Sequence, residues 1–228
     1  LLNIETESVS GEKLKDILDQ SENFDQEVIR YPSNAVNDKG SIAILKGSLA
    51  PDGAVIKVAA ASKKFLNHIG KAIVFDNAKE LSDNIDDPNL DISEDSIIVL
   101  RNQGPIGGQG MPESGFLPIP KKLLDKGIRD IVRISDARMS GTAYGTIVLH
   151  IAPESHIGGP LSLVKTGDKI KLSLENKSLD LLVDKKILSE RKSSLKVTEH
   201  NSEYDRGYGW LYKEHILQAD QGCDFDFL

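Results

Sequence analysis

Apolar residues recur along this chain in short β-branched runs rather than long stripes. From residue 41 onward, "SIAILKG", "GAVIKVA", "KAIVFD", "DSIIVLRNQ", "DIVRISD" and "GTIVLHIAP" are brief hydrophobic stretches bounded by Gly, Pro, Asn or Asp. That pattern predicts strands. Helical spacing falls between some of them, in "NAKELSDNI" and in "PIPKKLLDKG", where Gly127 is placed to close the helix. Residues 163–184, "LVKTGDKIKLSLENKSLDLLVD", alternate apolar and polar around the turn sequences "TGD" and "ENKS", predicting a strand and then a hairpin. "DKKILSERKSSL" reads as a helix, and "YDRGYGWLYKEHILQ" as a closing one that two glycines weaken. Near the start, Leu14, Ile17 and Leu18 share a helical face, and "FDQEVIRYPSNAVNDKG" reads as an exposed linker. The pattern predicts a β-rich α/β domain, a compact barrel or sandwich with flanking helices, over residues 41–200. A helix and linker (1–40) precede it and a helix with a terminal tail (201–228) follows.

Composition narrows the function classes. The 228 residues, 39% hydrophobic and 28% charged, are ordinary for a globular protein with a sizeable core. A net charge of −7, with its lysine pairs separated by acids, argues against nucleic acid as a partner. No apolar run approaches the ~20 residues of a membrane-spanning helix, and no secretory signal opens the chain. The chain begins with Leu1, and "LLNIETESVSGEKL" reads as though it enters mid-protein. The single Cys223 allows no internal disulfide and no all-thiolate metal cage, which suits a reducing cytoplasm.

Two loops carry candidate chemistry. "RNQGPIGGQGMPESG" (101–115) follows a strand and holds five glycines, which permit close backbone approach to a ligand. Its spacing matches neither GxxxxGK[ST] nor a helix-opening GxGxxG, so a nucleotide loop is unsupported. Glu113, at its end, could offer oxygen to a hard cation such as Mg²⁺, although a surface glutamate is more often simply solvated. "ISDARMSGTAYG" (134–145) sets Asp136, Arg138, Ser140 and Thr142 beyond a strand's carboxyl end, where α/β sheets present functional residues. The plainer alternative makes Asp136 a turn or helix cap, with Arg138 as its ion-pair partner. A Ser-His-Asp hydrolase using His150 or His156 lacks a GxSxG elbow around Ser140. Cys223, among Asp220, Asp224 and Asp226, sits in the wrong setting for a reactive thiol; the tail "QGCDFDFL" reads as docking structure with apolar anchors.

Taken in order, "GSIAILKGSLAPDGAVIKVA", "AIVFDNAKE", "GPIGGQGMPE", "ISDARMSGTAYG", "LHIAPESHIGGPLSLVKTGDKI" and "LQADQGCDFDFL" resemble the carboxy-terminal part of the dihydroxy-acid and sugar-acid dehydratases, the IlvD/Edd family. The resemblance implies a swivelling β/β/α domain with a barrel-like core. It implies a hydro-lyase that dehydrates a 2,3-dihydroxy acid to a 2-keto-3-deoxy acid, using Mg²⁺ and an iron–sulfur cluster. By motif match, Glu113 corresponds to a Mg²⁺ ligand, Ser140 to the general base and Thr142 to its assisting hydroxyl. The cluster cysteines and the remaining Mg²⁺ ligands, a carbamylated lysine among them, belong to the family's amino-terminal domain. That domain is the expected partner, in a homodimer or tetramer, and this chain alone is expected to fold without turning over substrate. "DARMSGT" and the tail look more like the pentonate and hexonate dehydratases (arabonate, xylonate or galactonate) than the branched-chain enzyme acting on 2,3-dihydroxyisovalerate, where "DGRFSGG" is typical. A branched-chain dihydroxy-acid dehydratase and a non-catalytic binding or regulatory domain are the alternatives.

Overall fold

The computed structural model describes the chain apart from residues 1, 23, 24, 26, 38, 116, 141–143 and 196–203. The chain forms two compact units, Leu1–Lys39 and Gly40–Leu228. In the first, a bridge between Glu7 and Lys13 leads into helix α1 (Leu14–Asp19), no residue of which is buried.

The second unit is built on eight strands: β1 (Ile42–Leu45), β2 (Gly53–Lys57), β3 (Asn67–Phe75), β4 (Ile97–Leu100), β5 (Val132–Ser135), β6 (Ile147–Ala152), β7 (Lys169–Ser173) and β8 (Ser178–Leu181). They form one mixed sheet in the order β1-β2-β6-β5-β4-β3-β7-β8. The middle, β6-β5-β4-β3, is parallel, and antiparallel pairs extend both flanks. The two ends meet. Beyond β1, the Lys46 N–H donates to the Lys177 carbonyl (2.9 Å) and the Leu179 N–H to that of Lys46 (3.2 Å), closing the sheet into a barrel-like body. Closure removes the open edges that would otherwise invite pairing with other chains.

The apolar runs explain the layers. All four residues of β4, "IIVL", are buried, because both faces are covered. Ile97 and Val99 point into the barrel with Leu45, Ile56, Ile134, Ile151 and Leu172. Ile98 and Leu100 face outward with Ile73 and Phe75, beneath helices α2 (Ala78–Asn84) and α3 (Lys121–Leu124), which contribute Leu81 and Leu123. Asn77 caps α2 by accepting the Glu80 N–H at 2.8 Å. Gly127, at φ +79°, ends α3 and lets the Ile128 N–H reach the Leu123 carbonyl. Helix α4 (Lys185–Ser194) is capped by Asp184 and held by a two-pronged Arg191–Asp168 ion pair. Helix α5 (Tyr208–His215) starts after Gly207; Gly209 lies where a Cβ would meet the Tyr204 ring at 2.8 Å. The β-rich α/β architecture read from the sequence is the one observed. Among the described residues, no helix is long and apolar enough to cross a membrane.

Candidate functional site

Parallel strands β4 and β5 are neighbours, so the loops leaving their carboxyl ends emerge side by side. These are the glycine-rich loop (101–115) and the loop after Ser135. They are joined directly. The Gly115 N–H donates to the Arg138 carbonyl (2.9 Å), and a Cβ at Gly115 would lie 2.6 Å from that oxygen, so only glycine permits the approach. The Arg138 guanidinium reaches back, donating through Nε to the Met111 carbonyl and through Nη1 to Glu113 Oε1 at 3.0 Å. Both partners of this ion pair are about half exposed, 44% and 52%. Ser140 lies exposed two residues further on, and Thr142 falls outside the described residues. Glu113 and the Ser140 loop thus share one surface at the end of the parallel strands. Among the described residues Arg138 pairs with Glu113 and not with Asp136.

The glycine-rich loop closes on an anion of the protein's own. Glu154 is 1% exposed, and its carboxylate accepts the N–H groups of Ile106 (2.9 Å) and Gly107 (3.0 Å). Successive N–H groups of this kind form the concavity that phosphate loops use for a ligand, and here Glu154 fills it. Gly104 makes the room, since a Cβ there would sit 2.3 Å from Glu154 Oε2. Asp136 performs a similar service below the second loop. It accepts from the Gln103 N–H (3.0 Å) and from both the N–H and the hydroxyl of Ser155. Burial pushes the Asp136 carboxyl above its ordinary pKa; the Ser155 and Gln103 bonds oppose that shift, and nearby Glu154 adds to it. Ser155 in turn accepts the Asn102 N–H (2.7 Å), so both loops hang from one buried network.

The far end of the Ser140 loop is anchored just as firmly. Buried Arg133 donates to the Leu117 (2.9 Å) and Tyr144 (3.1 Å) carbonyls and pairs with Asp130 at 3.2 Å. Asp130 also accepts the N–H and hydroxyl of Thr146. Burial alone would raise the Asp130 pKa, but the Ser62 and Thr146 bonds and the Arg133 charge hold it below the ordinary value. His150, behind the loop, has its pKa lowered by burial and then by Arg138. The backbone N–H of His150 bonds the Ala137 carbonyl, from a residue with φ +54°.

The donor set limits which groups this chain could hold. Glu113 is a hard oxygen donor suited to contributing one ligand to Mg²⁺. Among the described residues, no cluster of three or more His, Cys, Asp or Glu side chains could hold a metal ion. Cys223 does not fit an iron–sulfur cluster, which needs several thiolates. It stands alone in the sequence, its Sγ 3.3 Å from Met111 Sδ. Burial, with Glu154 and Asp220 nearby, raises its pKa further.

A family model described as the dihydroxy-acid/6-phosphogluconate dehydratase C-terminal domain matches residues 27–223. The chain belongs to this family. It is 46% identical over its full length to a 6-deoxy-6-sulfo-D-gluconate dehydratase of Pseudomonas putida, and 47% to an L-arabonate dehydratase of Azospirillum brasilense. A dihydroxy-acid dehydratase of Methanoregula boonei is 39% identical over 83% of the chain. The chain spans 39%, 40% and 34% of these relatives' lengths, respectively.

Sequence reasoning singled out Glu113 and the Ser140 loop, and the structure places them together. It missed Glu154, Asp130, Arg133 and Gln218, which act by holding backbone in place. The one available signal was a glycine-rich loop whose backbone N–H groups need acceptors, which a buried acid elsewhere in the chain can supply.

Proposed function

We propose that this chain forms one wall of a hydro-lyase active site, working within a longer polypeptide that dehydrates a sugar acid to its 2-keto-3-deoxy acid. The observation that carries this reading is the junction of the two loops, where Gly115 bonds Arg138 and Arg138 bonds Glu113, setting the Ser140 loop beside a hard oxygen donor. Family membership supports dehydration over serine hydrolysis. The higher identity to relatives named for sugar acids, 46% and 47% against 39%, favours a polyhydroxy acid over a branched-chain dihydroxy acid.

In this reading the Ser140 alkoxide takes the C2 proton, and the C2–H electrons form the C2–C3 double bond. The C3–O bond breaks, the departing hydroxyl leaves as water with the proton returned by Ser140, and the resulting enol tautomerises to the 2-keto acid. A serine is a weak base until positive charge stabilises its alkoxide. Arg138, two residues away and held at three points, is the cation this chain supplies. Thr142 assists the same hydroxyl. Glu113 would hold a Mg²⁺ ion jointly with ligands from outside this chain, and bound Mg²⁺ supplies Lewis acidity toward the substrate's oxygens. An ion held by Glu113 would compete with the Arg138 pair, which engages only Oε1, and would leave the guanidinium available to the substrate. No residue of this chain suits an iron–sulfur cluster, and no step here depends on one. The remaining ligands, the amino-terminal partner domain, the homo-oligomer and a cytoplasmic setting belong to the same proposal.

The test is 2-keto acid formation by the longer enzyme on a panel of pentonates, hexonates and 2,3-dihydroxyisovalerate, beside its Ser140→Ala variant. A sugar acid turned over by the parent and slowed by ~10²–10⁴ or more in the variant is the expected result. Retention of activity within about tenfold would remove Ser140 as the base.

A further inference from the structure

The contacts of the chain's last residues converge on the glycine-rich loop. After α5 the chain folds back on itself: the Leu217 N–H donates to the Asp224 carbonyl (2.8 Å) and the Asp226 N–H to that of His215 (3.0 Å). His215 Nδ1 meets Asp226 Oδ1 at 2.8 Å, and the Phe225 and Phe227 rings stack at 5.4 Å. From this small folded end, three contacts reach the loop. Gln218 is paired twice with Glu154, donating through Nε2 to Oε1 (3.0 Å) and accepting the Glu154 N–H at 2.9 Å. Glu154 in turn holds the N–H groups of Ile106 and Gly107. Cys223 Sγ lies against Met111 Sδ, and the Gly110 backbone lies beside Tyr212, where it opposes the rise that burial causes in the pKa of that hydroxyl.

Met111 is the pivot. It adopts a left-handed backbone, φ +43°, that a side-chain-bearing residue occupies only when its surroundings impose it. Its sulfur rests on the tail, while its carbonyl takes the Arg138 Nε that also orients Glu113 two residues on.

We propose that the C-terminal segment is a positioning device for the glycine-rich loop, with Gln218 as the positioning residue that orients Glu154 and, through the loop, sets the place of Glu113. The inference rests on the function proposed above only for what Glu113 does. Glu154 needs from position 218 a donor and an acceptor at one side-chain end, which an amide provides. An ionised carboxylate there would offer no donor and would repel Glu154. The other titratable groups nearby are Asp136 behind Glu154 and Tyr212, Asp220 and Cys223 on the tail itself.

The test is amide hydrogen exchange on the 228-residue chain, read residue by residue as protection factors. Gln218→Ala should lower protection at Ile106 and Gly107 about tenfold or more while leaving β4 and β5 unchanged. Gln218→Glu should show the same loss at about pH 8 and recover to within about threefold of wild type at about pH 4, below the ordinary glutamate value of ~4.3, where a protonated carboxyl again donates to Glu154. Protection at Ile106 and Gly107 unchanged in the alanine variant, or a glutamate variant equally loose at both pH values, would overturn the proposal. Should the alanine variant unfold throughout, the glutamate pair of measurements decides. Glu113→Gln should leave these amides as in wild type, so a failure of the proposed metal role and a failure of the tail's role would be told apart.

Discussion

Two arginine–carboxylate pairs bracket the Ser140 loop, and they are opposites. Arg133–Asp130 at its base is almost wholly buried, with 3% and 5% of the side chains exposed; the two terminal guanidinium nitrogens also donate to the Leu117 and Tyr144 carbonyls, while Nε is buried without a partner among the described residues. Arg138–Glu113 at its tip is 44% and 52% exposed, joined by one guanidinium nitrogen. The first pair cannot change partners without leaving an uncompensated charge in the interior, which is costly. The second lies in solvent, where an ion pair contributes little and exchanges easily. The difference teaches how two ends of one segment can be held differently: the buried pair fixes the backbone at Leu117 and Tyr144, and the exposed pair leaves a carboxylate and a cation at the surface.

Breaking the buried pair should produce the largest effect. Asp130→Ala strands Arg133 and removes the acceptors of Thr146 and Ser62, and a loss of about 3–5 kcal/mol is expected in urea unfolding. A loss under ~1 kcal/mol, of the size seen for exposed pairs, would erase the contrast.

The comparison sharpens with pH. Asp130 titrates below its ordinary value in the folded protein, so its contribution is complete above the unfolded value of ~3.9 and is lost as the pH falls through the lower folded value. Wild type and Asp130→Asn should therefore differ most near neutrality and converge below about pH 4. A gap in unfolding free energy that stays constant across that range would show that the carboxylate's charge is not what stabilises the fold.

The smallest effect belongs to the exposed pair. Arg138→Met should change stability by no more than about 1 kcal/mol by thermal or urea unfolding. Destabilisation matching that of Asp130→Ala would mean that the loop tip is as structural as its base.

Much of the frame was legible in the sequence because buried strands write themselves as unbroken apolar runs. "SIIVL" and "DIVRIS" gave β4 and β5, and the turn sequence "ENKS" gave the β7–β8 hairpin. The amino-terminal half of β3, Asn67–Lys71, was not legible. It alternates with polar residues on a flank where it pairs with β7, and "NHIGK" on its own carries no strand signal. Gly70 in that stretch is there for space, because a Cβ would strike the Asp95 carbonyl at 2.1 Å. At the candidate site, the placement of Glu113 and Ser140 in neighbouring loops was legible because those loops follow the carboxyl ends of strands β4 and β5. Glu154 and Gln218 were not, since nothing in the spacing of residues 106, 154 and 218 records that they meet. Their pairing arises from closure of the barrel and the return of the tail, both of them long-range events.

The most direct test of the central claim, that the two loops form one catalytic surface, is a double-mutant cycle in the longer enzyme. It compares kcat/KM for the wild type, Ser140→Ala, Glu113→Gln and the double variant on the sugar acid it turns over fastest. Residues serving one reaction as a unit are strongly non-additive, so the double variant should be within about tenfold of the worse single variant. Single effects that multiply in full, or a Glu113→Gln enzyme as active as wild type, would contradict the account.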